Sequence, residues 1–99
     1  MYSQVVSGTA TEIGAKAQLQ IGLIRLDQKR YADATSALLV VPLTYDYPEV
    51  SAAAVCEAAR AYAESKDKDQ AIKLLERVIR DYPQSKWADV AKERLDKLK

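Results

Sequence analysis

The chain has 99 residues, which leaves room for one compact domain at most. Apolar residues make up 48% and charged residues 29%, a composition typical of a globular protein that folds in water. Fifteen Lys and Arg residues against fourteen Asp and Glu residues give a net charge of +1, so no basic excess attracts a nucleic-acid backbone. No apolar run is long enough to span a bilayer, and we expect neither nucleic-acid binding nor membrane insertion.

Missing residue types exclude most hydrolase chemistry. The chain has no histidine and a single cysteine, Cys56, so it cannot build a His/Cys zinc site, a Ser-His-Asp triad or a Cys-His pair. Its three glycines do not form a phosphate-binding loop. Glu57 and Glu64 share a predicted helix face, but no second catalytic group accompanies them. The sequence therefore predicts a protein that is not an enzyme and that uses no metal or cofactor.

The first half of the chain predicts two antiparallel helices. Thr9 and Glu12 fit a capping box, and apolar residues at three- and four-residue steps continue the first helix to about Gln28. After a polar break at residues 28–30, a second helix is expected to end near Pro42. The buried stripe of this second helix is Tyr31, Ala34, Leu38 and Val41.

The second half predicts three more helices. Pro48 suits the first position of a third helix, in which the alanine-rich segment 51–62 allows close packing. Asp67, with Gln70 three residues later, is the expected N-cap of a fourth helix that ends at residues 81–83. Its buried stripe is Ala71, Leu74, Leu75, Val78 and Ile79. A fifth helix begins near Ser85 and has a single apolar face, as expected of a helix that closes a stacked array.

The helices repeat along the chain. A shift of 37 residues superposes small or apolar residues at matched helix positions, and a shift of 35 superposes Tyr47–Pro48 on Tyr82–Pro83. The pairs at the first shift are Ala17 with Ala54, Gly22 with Ala59, Ala34 with Ala71, Leu38 with Leu75 and Val41 with Val78. A period in the middle thirties predicts an all-α solenoid of antiparallel helical hairpins.

These positions resemble the tetratricopeptide repeat family, whose unit is a helical hairpin with small, aromatic and proline residues at fixed places. The second repeat carries Ala59, Tyr62, Ala71, Val78 and Pro83 at those places. The first repeat departs from the pattern, with Arg25 in place of the aromatic residue and Gln18 where tryptophan is common.

A second resemblance concerns the segment that starts at Tyr82. Residues 82–88 are similar to the YPxSxxA pattern of a bacterial subgroup that includes the Tol-Pal accessory protein and outer-membrane assembly lipoproteins. This resemblance implies a bacterial protein and favours the periplasm or cell envelope over the cytoplasm.

The repeat alignment divides the single domain into four segments. Residues 1–8 are expected to be the remnant of a preceding repeat helix, residues 9–47 and 48–84 are two tetratricopeptide-like repeats, and residues 85–99 form the C-terminal capping helix. The remnant is inferred because Tyr2, Val5 and Val6 align with the buried stripe of the fourth helix. We therefore expect a C-terminal part of a longer protein.

The family resemblance implies protein–protein interaction, with a peptide or partner helix held in a concave groove. By the family's spacing, the groove candidates are Lys16, Leu19, Gln20, Leu23, Leu26, Asp27, Ala53, Cys56, Glu57, Arg60 and Glu64. The subtype that clamps a peptide carboxylate is disfavoured, because Leu19, Cys56 and Glu57 stand where it needs cationic or amide side chains.

Two alternatives stay open at this point. The first is that the domain is a structural spacer or a self-association domain of a larger protein, with an apolar flank at Ile13, Ile21 and Ile24 as the homo-oligomer surface. The second is that it is an accessory domain of an enzyme whose active site lies elsewhere in the longer protein. Trp87 and Cys56 each allow two interpretations. Trp87 either anchors a partner or packs against the fourth helix, and Cys56 is either reactive or, as its alanine-rich surroundings favour, a small apolar filler.

Overall fold

The computed structural model describes residues 11–45 and 47–98, and these residues form five α-helices without a strand. The helices are α1 (Thr11–Asp27), α2 (Tyr31–Thr44), α3 (Pro48–Glu64), α4 (Lys68–Asp81) and α5 (Lys86–Leu98). The remnant expected at residues 1–8 and the Thr9 half of the capping box lie outside the described residues.

The turns inside the two hairpins have the same backbone structure. Lys29 and Lys66 both have a positive φ, 61° and 71°. One residue later, the Arg30 N–H donates to the carbonyl of Arg25 and the Asp67 N–H donates to that of Tyr62, at 2.9 and 2.8 Å. This is the Schellman motif that ends many helices. Its recurrence after 37 residues confirms the helical-hairpin period in three dimensions.

The link between the hairpins is shorter than predicted, because α2 does not end at Pro42. The helix continues through Pro42 to Thr44. Proline lacks the N–H that would bond the carbonyl four residues earlier, but this removes only one bond close to the helix end. The Tyr45 N–H then donates to the carbonyl of Val41 at 2.9 Å. Only residues 45–47 separate the two helices, and Pro48 opens α3 as predicted.

The starts of α4 and α5 agree with the sequence signals. The Asp67 carboxylate accepts a hydrogen bond from the Gln70 N–H at 3.4 Å, which confirms the expected N-cap. Helix α5 begins directly after Ser85, whose Oγ accepts from the Trp87 N–H at 3.0 Å. Pro83 precedes α5 by three residues whereas Pro48 is the first residue of α3, so the two Tyr-Pro links are built differently.

The helices stack as a curved array. Each helix packs against the next one along the chain, and α3 also contacts α1 and α5. Helices α2 and α4 do not contact each other. Because the odd-numbered helices touch and the even-numbered ones do not, the concave face belongs to α1, α3 and α5. The architecture is an all-α helical-repeat solenoid, which confirms the predicted fold class.

Helix α3 is the centre of the core. Its residues 50–59 and Ala61 are buried, so the helix is enclosed along most of its length and around its circumference. On one side Leu38 and Val41 of α2 pack against Ala54 and Ala58. On the other side the core cluster consists of Ala52, Val55, Cys56, Ala59, Ala71, Leu75, Val78 and Ala91. Alanine side chains let four neighbouring helices approach α3 closely.

The contact between Gly22 and Leu38 yields a test of the first hairpin. A Cβ atom at Gly22 would lie 2.4 Å from Leu38 Cγ and Cδ2, and Leu38 is fully buried. We expect Gly22→Ala to lower the free energy of unfolding by about 1–3 kcal/mol, because overpacking outweighs the better helix propensity of alanine. Urea denaturation followed by circular dichroism measures the difference.

Gly14→Ala is the matched control for that variant. A Cβ atom there would meet only the Tyr45 side chain, with its hydroxyl at 3.2 Å, and this side chain is half-buried and has room to adjust. We expect a change within about 1 kcal/mol of zero. Equal effects of the two alanine substitutions would contradict the close approach of α1 and α2 at Gly22.

Candidate functional site

The concave face contains a first cavity where α1, α3 and the start of α5 meet. Its volume is about 650 Å³. Leu19, Val50, Ala53 and Trp87 form its apolar floor. The polar lining residues are Lys16, Gln20, Glu49, Gln84 and Lys86. An apolar floor with polar groups around it is the usual composition of a binding pocket.

A second cavity of about 210 Å³ lies further along α3 and α5. Its lining residues are Ala59, Arg60, Ala63, Leu75, Arg94, Lys97 and Leu98. Arg60 follows Ala53 by two helical turns and Lys97 follows Lys86 by three, so both cavities lie along the same faces of the two helices. We call this face, with its two cavities, the groove.

The structure brings together five of the predicted groove residues at the cavities. Lys16, Leu19, Gln20 and Ala53 line the first cavity and Arg60 lines the second. Glu57 lies on α3 between the two sets. Among the other candidates, Leu23 is half-buried, Asp27 and Glu64 are exposed at helix ends, and none of the three lines either cavity.

Two of the predicted groove residues are instead part of the core. Leu26 is 2% exposed and packs with Ala34 and Ala61, because the last turn of α1 directs this position toward the neighbouring helices. Cys56 has no exposed surface and packs in the cluster between α3, α4 and α5. Neither side chain is available to a partner in the groove.

The residues of α5 that line the groove were not predicted from the sequence. That helix was expected to close the array, with one face docked and the rest in solvent. The docked face is confirmed by buried Ala88 and Ala91, but the border of this face lines both cavities. The half-buried Trp87 packs against the core cluster and also lines the first cavity. The available signal was the spacing of Lys86 and Lys97, eleven residues apart and therefore on one helix face.

A hydrogen-bonded link fixes the start of α5 at the groove. The Ser85 hydroxyl is buried, accepts from the Trp87 N–H and donates to Glu49 Oε1 on α3 at 3.1 Å. Glu49 and Trp87 both line the first cavity. The helix cap therefore also sets the position of the only tryptophan relative to α3.

An ion-pair cluster occupies the region between the two cavities. Glu57 is 9% exposed, and its Oε1 lies 3.3 Å from Arg94 Nη1 and 3.5 Å from Arg60 Nε. Arg94 Nη1 also donates to the Cys56 carbonyl at 3.3 Å, and Arg60 Nε reaches Glu64 only at 3.7 Å. Arg94 thus donates to the buried carboxylate and connects α5 to α3. Arg60 is held by the longer ion pairs alone, since its buried Nε has no hydrogen-bond partner among the described residues.

Comparison with known protein families agrees with this geometry. Residues 57–85 match the family model described as tetratricopeptide repeat. The second hairpin is similar to a tetratricopeptide repeat. The match covers the end of α3, the whole of α4 and the link to α5, and therefore includes the second Schellman turn and Ser85. No curated protein and no solved structure matches the chain.

Two general features of the helical array follow from the described residues. None of their helices is long and apolar enough to cross a membrane. Within residues 11–45 and 47–98, no three His, Cys, Asp or Glu side chains are grouped as metal ligands.

Burial controls the chemistry of Cys56. Loss of contact with water raises the pKa of its thiol from 9.0 to about 11, while the positive charge of Arg94 opposes the shift and the carboxylate of Glu57 adds to it. Because the thiolate is the nucleophile, the folded protein should hold this cysteine unreactive near neutral pH. The thiol acts as a small apolar side chain in the core.

The raised pKa of Cys56 has a measurable effect on stability. The unfolded thiol ionises near pH 9 whereas the folded thiol stays protonated to about pH 11, so the unfolded state binds fewer protons between these values. The contribution of Cys56 to the free energy of unfolding is therefore fully present below pH 9 and is lost as the pH rises to about 11. We expect the stability of the wild-type protein to fall more steeply than that of Cys56→Ala over this range in urea titrations.

A thiol-labelling measurement provides an independent check. Ellman's reagent at pH 8 should label Cys56 only at the rate of unfolding, and rapidly once the protein is in urea. Labelling of the native protein at the rate of a free cysteine would contradict the burial of the thiol.

Proposed function

We propose that the chain is a non-catalytic protein-interaction module that binds a peptide or a partner helix in the groove. Tetratricopeptide repeats generally mediate protein–protein interactions, and the second hairpin matches their family model. The observation that carries the proposal is the pair of cavities, about 650 and 210 Å³, on one concave face. A groove of this kind accepts side chains of an elongated partner at two points.

The composition of the groove supports a protein ligand. Leu19, Val50 and Trp87 give the first cavity an apolar floor, and Leu75 and Leu98 do the same in the second. Apolar pockets between polar and charged side chains are typical of sites that anchor a few side chains of a partner. The ion pairs of Glu57 and the Ser85 link hold the walls in place before a partner binds, which reduces the entropic cost of binding.

We further propose the repeat boundaries 9–47 and 48–84, with residues 85–99 as the capping helix, and membership of the bacterial YPxSxxA subgroup. Three of the four fixed positions of the pattern have a physical role in the structure. Tyr82 packs against the core, Ser85 caps α5 and bonds to Glu49, and Ala88 is buried against the array. The similarity of this pattern to envelope proteins favours an envelope setting.

A peptide selection with a blocked groove tests the proposed function. A display library of random peptides is selected against the wild-type protein, and the dissociation constants of enriched peptides are measured by fluorescence anisotropy. Gln20→Trp places a large ring in the mouth of the first cavity, where Gln20 is exposed, and should weaken binding at least tenfold.

The matched control is Gln70→Trp, which adds the same ring to an exposed position in the first turn of α4, away from both cavities. This variant should bind the enriched peptides as tightly as the wild-type protein. The proposal fails if the selection enriches no peptide, or if every enriched peptide binds Gln20→Trp with unchanged affinity.

A second function, self-association or spacing of other domains, is favoured by one surface. Ile13, Ile21 and Ile24 are 61%, 39% and 55% exposed, and their spacing places them on one flank of α1. Exposed aliphatic side chains grouped on one helix face mark association surfaces. We propose this flank as the contact between two copies of the chain.

Sedimentation velocity at increasing protein concentration tests the self-association surface. The double variant Ile21→Lys with Ile24→Glu should be monomeric at concentrations where the wild-type protein dimerises. Leu43→Glu is the control, because Leu43 is 82% exposed on α2 and is not part of the flank. If the wild-type protein stays monomeric into the high micromolar range, self-association is contradicted and only the spacer role remains.

A further inference from the structure

The charged side chains that line the groove are mostly positive. The first cavity has Lys16, Lys86 and Glu49, and the second has Arg60, Arg94 and Lys97. Five of these six charges are therefore positive, although the whole chain has a net charge of only +1. With the buried carboxylate of Glu57 included, the groove still has an excess of three positive charges.

Other surface depressions have the opposite character. A cleft at the link between α4 and α5 has Glu49 and Asp81 as its charged lining residues. A cleft at the turns that close the two hairpins has Asp67 as its single charged lining residue. Among these four depressions, only the two cavities of the groove are lined by positive charges, and apolar surface is exposed beside them.

The two groove lysines on α5 form no ion pair with the residues that the structure describes. Lys86 and Lys97 are exposed, and neither has an ion-pair partner among residues 11–45 and 47–98. By contrast, Arg60 and Arg94 share Glu57, and Lys16 lies 3.6 Å from Glu12. The charges of the two lysines are available to a ligand at either end of the α5 wall.

The distance between the cavities limits the ligand further. The residues of α3 that line the first cavity are centred about ten positions before those that line the second, which at 1.5 Å per residue is roughly 15 Å. An extended peptide advances about 3.3 Å per residue and its side chains alternate between two faces, so two side chains four residues apart point the same way and span most of the distance between the cavities. A helical ligand needs about ten residues for the same span.

Resting on the proposed function of the groove, we propose that its preferred ligand is an acidic, extended peptide with two aliphatic side chains four residues apart, on the same face of the peptide. The aliphatic side chains occupy the two cavities. Aspartate or glutamate residues between and beside them pair with Lys86 and Lys97. Complementary charge contributes specificity and the rate of association, while the apolar anchors supply most of the affinity.

A set of defined peptides tests this ligand class. The probe is a fluorescein-labelled nonapeptide with leucine at its third and seventh positions and glutamate or serine elsewhere. Companion peptides replace every glutamate by glutamine or by lysine, or place the two leucines side by side. The acidic peptide with separated leucines should bind at least tenfold more tightly than each companion in 50 mM salt, and more weakly in 300 mM salt.

Charge reversal in the protein locates the contact. The double variant Lys86→Glu with Lys97→Glu should weaken binding of the acidic peptide at least tenfold. The control Lys73→Glu with Lys92→Glu makes the same change at two exposed lysines of α4 and α5 that line neither cavity, and should stay within twofold of the wild-type affinity. Thermal melts check that both variants are folded.

The outcomes separate this inference from the proposed function. Equal binding of the glutamine and glutamate peptides, no binding of the acidic peptide, or unchanged affinity of the Lys86 and Lys97 variant overturns the inference. If the library instead yields neutral or basic peptides that Gln20→Trp no longer binds, the proposed function stands and the acidic ligand class falls. If no enriched peptide binds Gln20→Trp more weakly than the wild-type protein, both the proposed function and the acidic ligand class are contradicted.

Discussion

The enclosure of α3 by its neighbours is the constraint on which the rest of the structure depends. A helix buried on nearly all sides is stable here only because its side chains at the contacts are small, so that four helices approach its backbone at once. Residues 51–59 are buried without interruption, and five of these nine are alanine. Larger side chains would separate the hairpins and with them the layer formed by α1, α3 and α5.

The groove is a consequence of this packing. Because α1 and α5 both contact α3 while α2 and α4 remain apart, one face of the array is concave. The first cavity lies between the odd-numbered helices, and the second lies between α3 and α5 and reaches Leu75 of α4. The same close packing takes Cys56 and the carboxylate of Glu57 out of water. It leaves the thiol protonated, and it makes the carboxylate an anchor for Arg60 and Arg94 at the groove surface. Local packing thus sets the charge that the concave face presents.

Sequence patterns predicted the helices well because the relevant signals act over a few residues. Asp67 caps α4 and Pro48 opens α3, each through contacts within one helical turn. Pro42 was misread as a helix end because a proline near the last turn removes only one hydrogen bond, which the packing of α2 tolerates. Leu26 was misplaced for a different reason. The family's spacing gives an average orientation for each position, whereas the last turn of α1 points Leu26 into the core.

The candidate site was predictable on α1 and on the first half of α3, and largely missed on α5. Lys16, Leu19, Gln20 and Ala53 line a cavity as the spacing indicated, but Lys86, Trp87 and Lys97 were assigned to a closing helix. Amphipathic periodicity shows which face of α5 is apolar. It does not show that the border of that face meets α3 across a cavity.

By itself, the sequence determined the five helices, their hairpin period and the identity of the small residues at the contacts. These properties follow from hydrogen bonds, capping and side-chain size over short distances along the chain. Only the tertiary structure decided which side chains meet across helices: Ser85 with Glu49, Arg94 with Glu57, and the lysines of α5 with the cavities beside α3. Such contacts join residues more than thirty positions apart, and they depend on how closely each helix approaches the next.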